Sequence, residues 1–192
     1  MTPPQPPPPA TRGAEYFDQW YADLLASPAR NAIVARTLGL PPGMLSTGSL
    51  TWPGVAEVTE ALRLPPDGLM CLDSVQFASP PLAGLHEFRR VLAAGGRLVL
   101  TGWEAVEPSD ERVGPRIRAM NLGRDLPAAG FTDVRVQDRT DWREAELRMW
   151  QEFMATPAAD DDAGLRSMQS EGERSLANWD AMRRVFATAT AP

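Results

Sequence analysis

The chain has 192 residues, 43% of them hydrophobic and 23% charged, with a formal net charge of −6, the profile of a globular protein of ordinary domain size. No apolar run approaches the roughly 18 residues of a membrane span, and no basic stripe offers a grip on phosphate backbones, so neither membrane nor nucleic acid is expected as a partner. All 19 basic residues are arginine, which removes chemistry that needs a lysine amine; a single cysteine forms no internal disulfide, and without a signal-peptide pattern a cytoplasmic location is expected.

Residues 1–12 read as a disordered proline-rich tail. Ala14 to Ala26 then places Tyr16, Phe17, Trp20, Tyr21, Leu24 and Leu25 at helical spacing. Ser27-Pro28 supplies a cap and a proline at the first position of a second helix, which Gly39 stops after Leu38. The loop Ser46 to Thr51 leads to Trp52-Pro53, and the pattern predicts a third helix from Gly54 to Leu62. These elements, residues 13–64, form a helical lid.

Pro65-Pro66-Asp67-Gly68 is a strong turn signal and opens an α/β region that runs over residues 65–192. Leu69 to Phe77 reads as a strand, apolar at first and polar at its end. Ser79-Pro80-Pro81 starts a helix through Leu82, Leu85, Phe88 and Leu92 that Gly95-Gly96 ends. Arg97 to Trp103 is a second strand, continuous enough in its apolar run to belong to a parallel sheet, and the β–α–β unit implies a right-handed crossover. A charged helix is predicted over Asp110 to Leu122, a short one over Asp125 to Ala129, and a strand over Val134 to Gln137. Thr140-Asp141 reads as the cap of a long helix carrying Trp142, Ala145, Leu147, Trp150 and Phe153. Asp160 to Asp162 sits at the start of another, where negative charge suits the dipole. Arg184 to Thr190 reads as a last, antiparallel edge strand.

Several of these segments resemble a known family. Leu72-Asp73-Ser74-Val75-Gln76-Phe77, followed by Leu85-His86-Glu87-Phe88-Arg89-Arg90-Val91-Leu92-Ala93-Ala94-Gly95-Gly96-Arg97-Leu98-Val99-Leu100, looks like the second half of a class I S-adenosylmethionine-dependent methyltransferase domain. Leu126-Pro127-Ala128-Ala129-Gly130-Phe131 resembles that family's next helix-to-strand step, and Leu50-Thr51-Trp52-Pro53-Gly54 with the helices before it resembles the lid of small-molecule members. The resemblance covers residues 14–192. It implies an α/β fold with a truncated Rossmann-like sheet of about four strands under an N-terminal helical lid, a small-molecule substrate, and S-adenosylmethionine as the family's cofactor.

One part of the family pattern is missing. After the lid the family has a strand running into a glycine-rich turn, where glycine lets the backbone approach the cofactor and an acidic residue on the next strand holds its ribose. Here the chain passes from Asp67-Gly68 directly to Met70-Cys71-Leu72-Asp73, with no Gly-x-Gly between Leu62 and Asp73. Since a βαβ unit takes about 30 residues, roughly 70 to 90 residues are absent. The expected function is therefore that of a small-molecule methyltransferase homologue impaired in cofactor binding. Two alternatives stay open: a degenerate shell serving as a binding or dimerisation module, or a non-methylating cyclase of secondary metabolism. A homodimer through the newly exposed sheet edge is a further expectation.

The candidate site residues follow from position. Asp73, Ser74, Gln76 and Phe77 stand where a strand's carboxyl end opens into the crevice of an α/β sheet, with Trp103 and Glu104 at the end of the next strand. Tyr16, Trp20, Thr51 and Trp52 could line an aromatic pocket over a sulfonium, although at helical spacing such aromatics also suit a core. His86 lies mid-helix, away from the strand ends, and reads as a surface or packing residue; Cys71 lies within the apolar part of its strand and reads as a buried inert thiol. One histidine and one cysteine make no ligand set, and no metal is expected.

Overall fold

The computed structural model describes residues 13–62 and 68–192; the proline-rich tail, the turn residues Pro65 to Asp67 and the lid boundary at Leu64 lie outside the described residues. Three helices come first: α1 (Ala14–Ala26), α2 (Pro28–Leu38) and α3 (Trp52–Leu62). Ser27 caps α2, its hydroxyl accepting the Arg30 N–H at 3.1 Å, and Gly39 ends the helix in the left-handed region at φ 67°, a conformation glycine adopts without penalty. α3 begins two residues before the predicted Gly54. Thr51 caps it, its hydroxyl accepting the Gly54 N–H at 3.2 Å and its carbonyl the Val55 N–H at 3.0 Å.

The α/β region supplies β1 (Gly68–Leu72), α4 (Pro81–Val91), β2 (Arg97–Ala105), α5 (Pro115–Ala119), α6 (Leu122–Ala128), β3 (Thr132–Asp138), α7 (Thr140–Ala155), α8 (Ala163–Leu176) and β4 (Met182–Thr190). They form one open four-stranded sheet in the order β1-β2-β4-β3, with β1 and β2 parallel and β4 antiparallel to both of its neighbours. This is the α/β fold expected from the sequence, with about four strands.

Several elements depart from the sequence reading. β1 stops at Leu72 rather than Phe77, because Asp73 takes a left-handed conformation at φ 52° and Val75–Phe77 winds into a 3-10 turn. The predicted Asp110–Leu122 helix shrinks to α5: Asp110 turns back to accept the Arg112 N–H at 3.0 Å, and Pro115 disfavours helical geometry at Gly114. α7 includes Thr140, with Arg139 at its cap position. β4 is an interior strand instead of an edge. Its Val185, Ala187 and Ala189 are fully buried, and the polar strand β3, carrying Asp133, Arg135 and Asp138, takes the edge in its place. The acidic start of α8 is as expected, with the Asp162 carboxylate accepting the Leu165 N–H at 2.8 Å.

Helices cover both faces of the sheet. Against one face, Leu85 of α4 and Leu126 of α6 join Leu98, Leu100, Val185 and Ala187 in the main core. Against the other, Val58 of α3 and Trp142 of α7 pack on Val99 and Phe186. Beyond this layer α1 and α2 pack on α7 and α8 through Leu24, Ile33, Leu38, Trp150, Phe153 and Leu165. No described helix is long and apolar enough to cross a membrane.

Candidate functional site

The parallel strand β2 runs on to Ala105, whereas β1 ends at Leu72, opposite Thr101. Asp73 follows immediately. Its N–H stays on the ladder, donating to the Thr101 carbonyl at 3.1 Å, while its unusual φ turns the carboxylate toward the α7 face. There it receives a bidentate pair from Arg184, 2.5 Å from Nη1 to Oδ1 and 2.6 Å from Nη2 to Oδ2, and the Thr101 hydroxyl at 2.9 Å. The planar guanidinium matches both carboxylate oxygens, which makes this the strongest class of charge-assisted bond.

Arg184 is fully enclosed, at 0% exposure. Its Nε lies 3.9 Å from Oε2 of Glu146 on α7, and among the described residues neither atom meets a partner in hydrogen-bond geometry. The other Glu146 oxygen accepts the Trp150 indole N–H at 3.3 Å. On β2, directly across from Arg184, Trp103 presents its ring 5.2 Å from the guanidinium carbon and meets Trp179 edge-on at 5.0 Å. A polar cluster thus sits between two apolar ones, the Trp142–Phe186 group on one side and the Trp150–Phe153 group on the other.

Charge counting explains how the cluster is tolerated. Asp73 and Arg184 neutralise each other, so an ionised Glu146 would be a surplus buried anion. Burial pushes the Glu146 carboxyl pKa up, against the opposing pull of Arg184. For Arg184, burial works against the charge, but Asp73 and Glu146 outweigh it and raise its pKa. Because Glu146 binds its proton more tightly in the folded chain, its contribution to stability is full below the ordinary glutamate value of about 4.3. That contribution is lost as pH rises through the raised value. Denaturant midpoints measured across pH should therefore fall more steeply with rising pH in the wild type than in Glu146→Gln. Identical pH profiles would contradict this assignment.

The other strand-end residues turn elsewhere. Gln76 is buried, its amide donating to the Asp73 carbonyl at 2.7 Å while its Oε1 has no partner among the described residues. Ser74 donates back to the Leu72 carbonyl at 2.8 Å. Phe77 is exposed, with Arg116 of α5 5.4 Å over its ring. Glu104 is a scaffold group, accepting the Leu122 N–H and Arg183, each at 2.6 Å. In the lid, Trp20 donates its indole N–H to Ser167 of α8 at 2.7 Å, Tyr16 stacks edge-on with Phe17, and Thr51 and Trp52 open α3. The structure therefore joins Asp73, Ser74 and Gln76 at the end of β1 and brings Trp103 to them through Arg184. It holds Tyr16 and Trp20 on the helix that packs against α8.

Sequence reasoning missed Thr101, Glu146 and Arg184. A signal for Glu146 existed: it falls in phase on the apolar stripe of α7, four residues after Trp142 and four before Trp150. Arg184 likewise shares its side of β4 with Phe186 and Thr188.

No protein-family model matches the sequence, and no curated protein matches it. Among solved structures, the chain is similar to Haemonchus contortus phosphoethanolamine N-methyltransferase 2 in complex with phosphomonomethylethanolamine and S-adenosylhomocysteine. The identity is 19% and the TM-score 0.50, over 66% of this chain and 33% of that one. It is also similar to the 4+2 cyclase SpnF at 24% identity and a TM-score of 0.51, over 85% of this chain and 62% of that one. The chain thus spans between a third and two thirds of the length of these structures. At such identities the likeness establishes the fold alone, and that fold is class I methyltransferase-like.

Proposed function

We propose that this chain, whose fold is that of a class I methyltransferase, is the substrate-side shell of a small-molecule methyltransferase homologue that does not hold S-adenosylmethionine by itself. The observation that carries the reading is the engagement of Asp73. Its carboxylate stands at the strand end where α/β folds receive their ligands, yet both oxygens are occupied by Arg184 and one of them also by Thr101.

The rest of the chain supports the same reading. The sequence holds only five residues, 63–67, between α3 and β1, too few for even one βαβ unit of about 30 residues. Those five residues include no glycine, and among the described residues the outer edge of β1 has no strand beside it to carry a glycine-rich turn. The residues present therefore do not fit the cofactor. Isothermal titration of the chain with S-adenosylmethionine is the test, with no heat of binding expected.

A further inference from the structure

The two edges of the sheet are built differently. β3 reads Thr-Asp-Val-Arg-Val-Gln-Asp and breaks register between Thr132 and Arg135, with Asp133 in the left-handed region at φ 49°. Charge and irregularity of this kind are how natural edges discourage further pairing. β1 reads Gly-Leu-Met-Cys-Leu, with no charge, no proline and no break in its register with β2. Its composition is that of an interior strand, apolar toward both faces. Even so, none of its residues is fully buried, and Met70 is 56% exposed.

Its backbone points the same way. The Asp73 N–H is bonded to Thr101 on β2, and successive residues of a strand direct their N–H and C=O groups to opposite sides. Leu69 and Cys71 therefore bond toward β2, while Gly68, Met70 and Leu72 direct theirs to the open edge. The Leu72 carbonyl has the Ser74 hydroxyl as a local partner and keeps a second lone pair. Among the described residues, the outward groups of Gly68 and Met70 have no neighbouring strand.

We propose that two copies of this chain join through β1, antiparallel about a twofold axis at Met70, so that their sheets become one. In this register Met70 faces Met70 of the second copy and Gly68 faces Leu72, and every outward residue falls in a hydrogen-bonded pair. On the opposite face Leu69 meets Cys71, so the new cross-strand pairs are apolar throughout. The twofold closes the assembly, because each copy offers one such edge and β3 blocks the other; a dimer forms and not a filament. The inference rests on the edge alone and is independent of whether the chain binds S-adenosylmethionine.

Sedimentation of the full chain at micromolar concentration should report a dimer. Met70→Pro removes an N–H that points away from β2, so it should leave the fold intact and shift the chain to a monomer. Met70→Cys should form an intermolecular disulfide at position 70 under mild oxidation. Hydrogen-bonded antiparallel partners lie about 5.5 Å apart at Cα, within disulfide range. A monomeric wild type, or a dimer that survives Met70→Pro, would overturn the proposal. If Met70→Pro does not fold, the cross-link decides: no disulfide between positions 70 in a dimeric sample overturns it equally.

Discussion

Replacing Asp73, itself part-exposed, is expected to cost about 3–5 kcal/mol, the range for leaving a buried charge, here Arg184, without its partner. Arg184 is at 0% exposure, and Asp73 provides its hydrogen-bonded counter-charge. Glu146 is 3.9 Å away, too far to replace those bonds. Asp73→Asn is the cleaner variant, because asparagine tolerates the left-handed φ of 52° better than alanine does, so its loss reports the charge. Glu146 is held toward its neutral form by burial and can ionise once Asp73 is gone, which places Asp73→Asn at the lower end of that range. Asp73→Ala adds backbone strain and belongs at the upper end. Adding Glu146→Gln to Asp73→Asn should then cost more than the two single changes together, a coupling that urea midpoints of the four proteins would measure. Additive effects would mean that Glu146 and Asp73 do not share Arg184.

Gly164→Ala should be the next most damaging change, at about 1–3 kcal/mol or more, the cost of overpacking a site that cannot relax. A methyl group at Gly164 would run into the Asp23 carbonyl oxygen and lie 2.8 Å from the Ser27 Cβ. The obstacle is largely backbone, so no side-chain rotation relieves it. Three helices meet here. Ser27 ends α1 and caps α2, and its hydroxyl also donates to Asp162 at 2.9 Å, the residue that caps α8. Loosening this junction should raise hydrogen exchange in α1 and α2 before the sheet. Gly123→Ala is the matched control, since its methyl would meet only Asn121 Oδ1 at an ordinary 3.6 Å, and alanine favours a helix over glycine. Equal thermal shifts for the two variants would refute the account of the α1–α8 contact.

Much of the fold was legible because it is encoded locally. The Gly95-Gly96 break, the Leu98-Val99-Leu100 run and the Ser27-Pro28 start each act within a few residues, and each appears in the structure close to where it was read. What escaped depends on distant partners. β4 carries the β-branched and aromatic residues of a strand, but only its pairing with β2 on one side and with β3 on the other moves it from edge to interior. Asp73 was legible as a strand-end carboxylate. Its partner is 111 residues away in sequence, and no periodicity links the two. The apolar-to-polar gradient of 69–77 runs past Leu72 and so reads as a strand through Gln76 and Phe77, whereas the chain turns at Asp73, whose carboxylate bonds the distant Arg184.

The most direct test of the shell reading is binding of S-adenosylmethionine by the native chain. The near-ultraviolet spectrum of its six tryptophans would first establish that the sample is folded, and calorimetry would then titrate the ligand into the millimolar range. We expect a folded protein that gives no binding heat. Saturable binding at micromolar ligand would contradict the account, because it would require a cofactor site built without the glycine-rich turn and with the Asp73 carboxylate already held by Arg184.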